Sequence, residues 1–230
     1  MSGSRCVIVG AGPFHGFDKS RVSAAFVIAC DGGYKHLAGL GLTPDLLVGD
    51  FDSLSASEIL PQLTPHNVVI LKKEKDDTDT LAAIKEGLSR GFSEFHIYGG
   101  MGGARVDHTA ANLQCLAYLC KRGARGFLYG GDAVATAITG GRLKFGAPCA
   151  GTVSVFAHSG EAKGVWERGL KYRLDGVTLT DDVPLGVSNE FMGRESAVEV
   201  NDGTLTVFYP SSIPQPCFEK ILKLPINQSL

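Results

Sequence analysis

The chain has 230 residues, 44% of them hydrophobic, with 22 basic and 24 acidic side chains and a formal net charge of −2. That apolar content suits one large domain or two modest ones, and the near-neutral balance provides no global attraction to nucleic acid or to an anionic membrane surface. No apolar run approaches the ~18 residues that a membrane span needs. The opening MSGSRCVIVGAG reads as a first strand rather than a signal peptide. Six cysteines (Cys6, Cys30, Cys115, Cys120, Cys149 and Cys217) form no CxxC pair, which points to free thiols in a reducing, cytoplasmic setting.

In chain order, the runs RCVIVG, AAFVIAC, DLLVG, NVVIL, EFHIYG and RGFLYG are short, rich in Val and Ile, and apolar on successive residues. Strands buried on both faces of a parallel sheet have that texture. Two helical patterns lie among them. DDTDTLAAIKEGLSRG carries an apolar stripe through Leu81, Ile84 and Leu88, and DHTAANLQCLAYLCKRG carries one through Leu113, Leu116, Ala117 and Cys120. The first part is therefore predicted to be α/β, a mostly parallel sheet flanked by helices over residues 1–140. From about Leu143 the pattern changes to short alternating runs separated by Gly, Asp or Asn. These predict a smaller antiparallel β-sandwich over 141–215 and a loosely docked C-terminal tail over 216–230. VEVNDGTLTVF is predicted to be a hairpin turning at Asp202 and Gly203.

Ligands of an open α/β sheet bind beyond the carboxyl ends of its strands. Carboxylates collect there: Asp31 after AAFVIAC, Asp50 and Asp52 after LLVG, Asp76, Asp77 and Asp79 after NVVIL, and Asp107 after HIYGGMGGARV. Taken singly, Asp76, Asp77 and Asp79 read equally well as helix caps, and Asp31 as a turn residue. Asp50 and Asp52 are harder to explain that way. Two carboxylates ~4 Å apart repel by about 4 kcal/mol at an effective dielectric near 20. A hard cation offsets that repulsion, and magnesium takes one or two carboxylates together with phosphate oxygens. The glycines of YGGMGGARVD, including Gly100, would let backbone N–H groups approach a phosphate, and Arg105 adds a fork-shaped cation. There is no GxxxxGK[ST] loop, and GAGPFHG, with His15 at the third glycine position of a dinucleotide fingerprint, reads as a plain strand-end turn. On these residues alone, a nucleotide-sugar glycosyltransferase using DFD as its metal motif stays open, as does a nucleotide sensor without turnover.

The ordered set DGG (31–33), PDLLVGDFDSL (44–54), DDTD (76–79), GGMGGARVDHTAANL (99–113), GLKYRL (169–174) and GVSNEF (186–191) resembles the thiamine pyrophosphokinase family from about residue 5 to 210. The resemblance implies transfer of the terminal two phosphates of ATP onto the thiamine hydroxyl with release of AMP. It also implies a homodimer with thiamine in clefts where an α/β domain meets a β-sandwich. Carried onto this chain, Asp50, Asp52 and Asp79 would hold Mg²⁺, and Asp107 would sit beside the reacting hydroxyl as base or orienting group. Asp31, Gly32, Gly100 and Arg105 would line the phosphate region. Tyr172, where relatives often carry a stacking Trp, would face thiamine with Ser188 and Asn189. The single tryptophan, Trp166, reads as a packing residue, and Arg168 stands where some relatives have a small hydroxyl side chain.

Overall fold

Each of the six apolar runs of the first part forms a strand in the computed structural model, which describes residues 5–17, 22, 24–50, 67–70 and 76–220. They are β1 (Arg5–Val9), β2 (Phe26–Cys30), β3 (Leu46–Gly49), β4 (Val68–Ile70), β5 (Glu94–Tyr98) and β6 (Arg125–Tyr129). All five pairings among them are parallel, in the order β6-β5-β1-β2-β3-β4. The unbroken apolar texture has its cause in burial on both faces: Cys6, Val7, Ile8 and Val9 of the central strand are wholly inaccessible to solvent. Helices α1 (Gly33–Gly39), α2 (Asp79–Ser89) and α3 (Val106–Cys120) contribute Leu37, Ile84 and Leu116 to the interior, each fully buried.

Chain order runs outward from β1 to β4 on one side, then returns to place β5 and β6 on the other. The carboxyl ends of β1 and β5 therefore flank a topological switch point, where an open sheet leaves a crevice. At the start of α2 the cap is Thr78, whose Oγ1 accepts from the Leu81 N–H at 3.2 Å. Asp77 pairs instead with Lys85 at 2.6 Å, and Asp79 is the first helical residue.

The chain divides into two compact units, Met1–Val134 and Ala135–Leu230. The second is built from β7 (Ala133–Phe145), β8 (Ala150–Arg168), β9 (Leu174–Leu179), β10 (Asn189–Met192), β11 (Ser196–Pro210) and β12 (Cys217–Lys220). The pairings β8–β9, β8–β10, β8–β11 and β7–β12 are antiparallel, as expected from the alternating runs. Its core holds Val153, Val155, Val198, Val200, Leu205 and Val207 without solvent access, with Phe145 edge-on to Phe191 and Tyr209. The first residues of the expected tail are part of this sheet, since Cys217 pairs with Lys144 and Lys220 with Gly141.

The expected hairpin at Asp202–Gly203 does not form. Strand β11 runs straight through it, with Asp202 opposite Lys163 and Thr204 opposite His158. Two residues on β11 thus span five on β8, an irregularity that absorbs the Asp–Gly signal without reversing the chain. Residues 150–168 are accordingly one long strand, β8, where the sequence pattern suggests shorter runs.

Candidate active site

The switch-point crevice is a cleft of about 460 Å³. Gly10, Ala11 and Gly12 after β1 and Gly99, Gly100 and Gly102 after β5 form one wall. These loops lie backbone against backbone: the Gly12 N–H donates to the Gly99 carbonyl at 2.9 Å, and a Cβ on Gly99 would stand 2.2 Å from the Gly10 carbonyl oxygen. Gly99 also has φ +65°, so glycine is required there twice over. The Gly100 carbonyl is held by the buried Asn112 amide at 2.7 Å, and the Gly102 N–H by Thr109 Oγ1 at 2.9 Å. GAGPFHG is therefore more than the plain turn expected of it, because its first three residues line the site.

Cys30, Asp31, Gly32 and Lys35 come from the end of β2 and from α1; Thr78, Asp79 and Thr80 from the start of α2; and Arg105, His108 and Asn112 from α3. The cleft thus faces the amino-terminal ends of two longer helices, whose dipoles favour an anion. Five residues expected from sequence, Asp31, Gly32, Asp79, Gly100 and Arg105, meet around this one space. Lys35, Thr78, Thr80, His108 and Asn112 were not assigned a role from sequence; Thr78, His108 and Asn112 lie inside the quoted motifs DDTD and GGMGGARVDHTAANL, whereas Lys35 and Thr80 have no signal beyond a place in the first turn of a helix.

Asp31 adopts φ +42°, an unusual conformation for a residue with a side chain. Its carboxylate rests over Gly49, where a Cβ would lie 1.8 Å from Asp31 Oδ1. The glycine of VGD is thus what admits Asp31 to the end of β3, next to half-buried Asp50. Asp50 is not in the cleft lining, and Asp52 lies outside the described residues. Among the described residues, no group of three or more His, Cys, Asp or Glu side chains is placed to hold a metal ion.

Asp107 is not in the lining either. It is exposed and forms a two-pronged pair with Arg105, Nη2 to Oδ2 at 2.7 Å and Nε to Oδ1 at 3.0 Å. That hydrogen bonding holds its carboxyl down at about 2 and pushes Arg105 up. The carboxylate is ionised throughout the neutral range and correspondingly weak as a proton acceptor.

In the second unit, Tyr172 is 58% exposed between β8 and β9. Ser188 is also exposed, at φ +60°, with its N–H donating to Ser154 Oγ at 3.1 Å. Asn189 points inward instead. It is 3% exposed, its Oδ1 accepts from the Tyr172 and Glu190 N–H groups at 2.9 Å each, and its Nδ2 donates to the Tyr172 carbonyl at 2.6 Å and to Glu167 Oε2. Trp166 is half-buried, packed beside Gly176 and covered by the Arg168 guanidinium at 4.3 Å, which fits the packing role expected of it.

Two family models match this chain. Residues 17–128 match the thiamin pyrophosphokinase catalytic domain, and residues 144–205 match the thiamin pyrophosphokinase vitamin B1 binding domain. The fold is shared with solved thiamin pyrophosphokinases. The one from Geobacillus thermodenitrificans is 25% identical, over 91% of this chain and 100% of that one, with a TM-score of 0.76. The one from Bacillus subtilis is 23% identical over the same shares, with a TM-score of 0.75. The yeast enzyme is 14% identical over 91% and 87%, with a TM-score of 0.72. No curated protein sequence matches the chain. A catalytic-domain match on the unit that holds the cleft, followed by a vitamin B1 binding match on the antiparallel unit, places this chain in the thiamin pyrophosphokinase family.

Proposed function

We propose that the chain works as a thiamine diphosphokinase by holding the ATP polyphosphate in the switch-point cleft and presenting thiamine from the 169–192 edge of the second unit. Residues 1–140 form the ATP-handling part and 141–215 the thiamine-binding part. The observation that carries this reading is the make-up of the cleft. Backbone glycines, two helix amino-termini, Lys35 and Arg105 face the same space as Asp31 and Asp79. Such a space suits a polyphosphate accompanied by a hard cation.

The reaction forms a bond from the thiamine hydroxyl oxygen to the β-phosphorus and breaks the bond from that phosphorus to the α–β bridging oxygen. AMP leaves and the hydroxyl proton is lost to solvent or a nearby base. Catalysis of this kind depends on positioning and charge neutralisation. Two carboxylates in the lining, with a third at the end of β3, are a donor set of the right hardness for magnesium. Asp79, Asp50 and Asp52 would hold Mg²⁺, which offsets phosphate charge. Lys35 and Arg105 bind and orient phosphate oxygens. Asp107 acts through Arg105, fixing its fork, rather than as the general base. Tyr172 offers a ring for stacking on the acceptor.

The exposed apolar side chains Tyr172, Val183, Leu185, Val187 and Met192 support a homodimer formed through the second unit. The six free cysteines, four of them buried, fit a cytoplasmic location, and no helix among the described residues is long and apolar enough to cross a membrane.

Incubation of the purified chain with ATP, Mg²⁺ and thiamine tests the proposal. AMP and thiamine diphosphate should appear in equal amounts. ADP as the co-product, or binding of thiamine with neither product, would overturn it.

A further inference from the structure

Glu167 is a buried acid that the reaction does not use. It lies on β8, 1% exposed, in register with Val198 of β11 and Leu174 of β9. Its Oε2 accepts from Asn189 Nδ2, while its Oε1 is buried without a hydrogen-bond partner among the described residues. A buried, half-satisfied carboxyl is destabilising, so its presence calls for a reason. The Asn189 amide supplies one. Its four hydrogen bonds go to the Tyr172 N–H, the Glu190 N–H, the Tyr172 carbonyl and Glu167. Glu167 is the one side chain among those partners. Turning the amide over would set its NH₂ against two N–H donors and its oxygen against two oxygens.

We infer that Glu167 is a positioning residue for the thiamine acceptor: by accepting from the Asn189 amide it fixes the orientation in which that amide grips the Tyr172 backbone on both sides, and so sets where the Tyr172 ring stands. The inference rests on the reading of the 169–192 edge as the thiamine-facing surface.

Burial pushes the Glu167 carboxyl up to about 7, opposed by the Asn189 hydrogen bond. The charged groups of the neighbouring elements are engaged elsewhere. Arg168 pairs with Glu199, Lys171 with Glu190, and Arg173 with Asp175, while Arg194 donates to the Gly169 carbonyl. Arg142 also meets Glu199, and Lys144 meets Glu195. Ionisation of Glu167 near neutrality therefore leaves the Asn189 amide as the group that meets the charge, makes Oε2 a stronger acceptor for it, and tightens the grip on Tyr172.

The test compares KM for thiamine and kcat, from pH 6 to 8.5, in the full chain and in Glu167→Leu, Glu167→Gln and Tyr172→Ala. Glu167→Leu should raise KM about five- to tenfold, the scale of one hydrogen bond, with kcat little changed. Glu167→Gln keeps an acceptor for Asn189 and should match wild type at pH 6. The wild-type KM should fall as pH passes about 7, while that of Glu167→Gln stays level. A folded Glu167→Leu with wild-type KM, or a Glu167→Gln that keeps the wild-type pH profile, overturns the inference. If Glu167→Leu does not fold, the Glu167→Gln profile decides alone. An unchanged KM in Tyr172→Ala rejects the thiamine-facing edge itself, whereas a raised KM there with an unaffected Glu167→Leu rejects only the role of Glu167.

Discussion

Replacing Glu167 with Gln should change how stability depends on pH, and the size of the change follows from the site. The carboxyl ionises at the ordinary 4.5 when the chain is unfolded and at about 7 when folded. Below 4.5 both states hold the proton and Glu167 adds no pH-dependent penalty. Between 4.5 and about 7 the unfolded chain releases a proton that the folded chain keeps, so stability falls as pH rises, and above about 7 the penalty is constant. With 1.36 kcal/mol for each pH unit, the loss across that window is about 3 kcal/mol. Gln has no proton to release, so the variant should lack this term while keeping the Asn189 contact. Trp166 is the single tryptophan and stands next to Glu167 on β8, so its fluorescence reports this unit alone. Urea titrations at pH 4.5 and pH 8 should show wild type losing about 3 kcal/mol relative to Glu167→Gln. For urea m-values of about 1–3 kcal/mol/M, the midpoint moves by about 1–3 M. Parallel pH dependences in the two proteins would refute the assignment of a buried neutral acid at this position.

Asp79→Asn should lower turnover by about two orders of magnitude, while far-UV circular dichroism stays unchanged and stability falls by no more than about 1 kcal/mol, the worth of a carboxylate at a helix start; wild-type turnover in the folded variant would remove Asp79 from the metal set. Gly99→Ala puts a methyl group 2.2 Å from the Gly10 carbonyl oxygen at a φ of +65°, so the wall of the cleft must shift and stabilisation of the melt by ATP should disappear. Asp107→Asn should lower kcat yet leave any ionisation in the pH–rate profile between pH 5 and 8 where it was, because the Arg105 pairing holds Asp107 at about 2; loss of an ionisation from that range would restore Asp107 as the general base.

The parallel sheet was legible because burial on both faces leaves an unbroken Val and Ile signature, and each such run is a strand. Of the expected carboxylates, Asp31 and Asp79 were legible as neighbours for a related reason: strand ends of a parallel sheet share one edge, and these two line one cleft while Asp50 and Asp107 do not. Features that depend on what lies across from a residue were not legible. Helix α1 is seven residues long, with Tyr34 and Leu37 as its buried large side chains, too short for a periodic stripe. Asp202–Gly203 carries a hairpin signal, yet β8 runs alongside β11 through this point and an irregular pairing costs less than breaking two long strands.

Asn189 shows the limit most clearly. Its place beside Ser188 in a family motif suggests contact with substrate, whereas its four hydrogen bonds are all spent inside the fold. A side chain with every donor and acceptor satisfied by its own chain has little left to offer a ligand. Any contribution it makes to binding passes through the Tyr172 backbone it holds. A motif records which residues a site requires without distinguishing those that touch the substrate from those that hold the touching residue still. At this edge the distinction depends on residues 167, 172 and 189 meeting in space, and their separations of 17 and 22 positions along the chain carry no trace of that meeting.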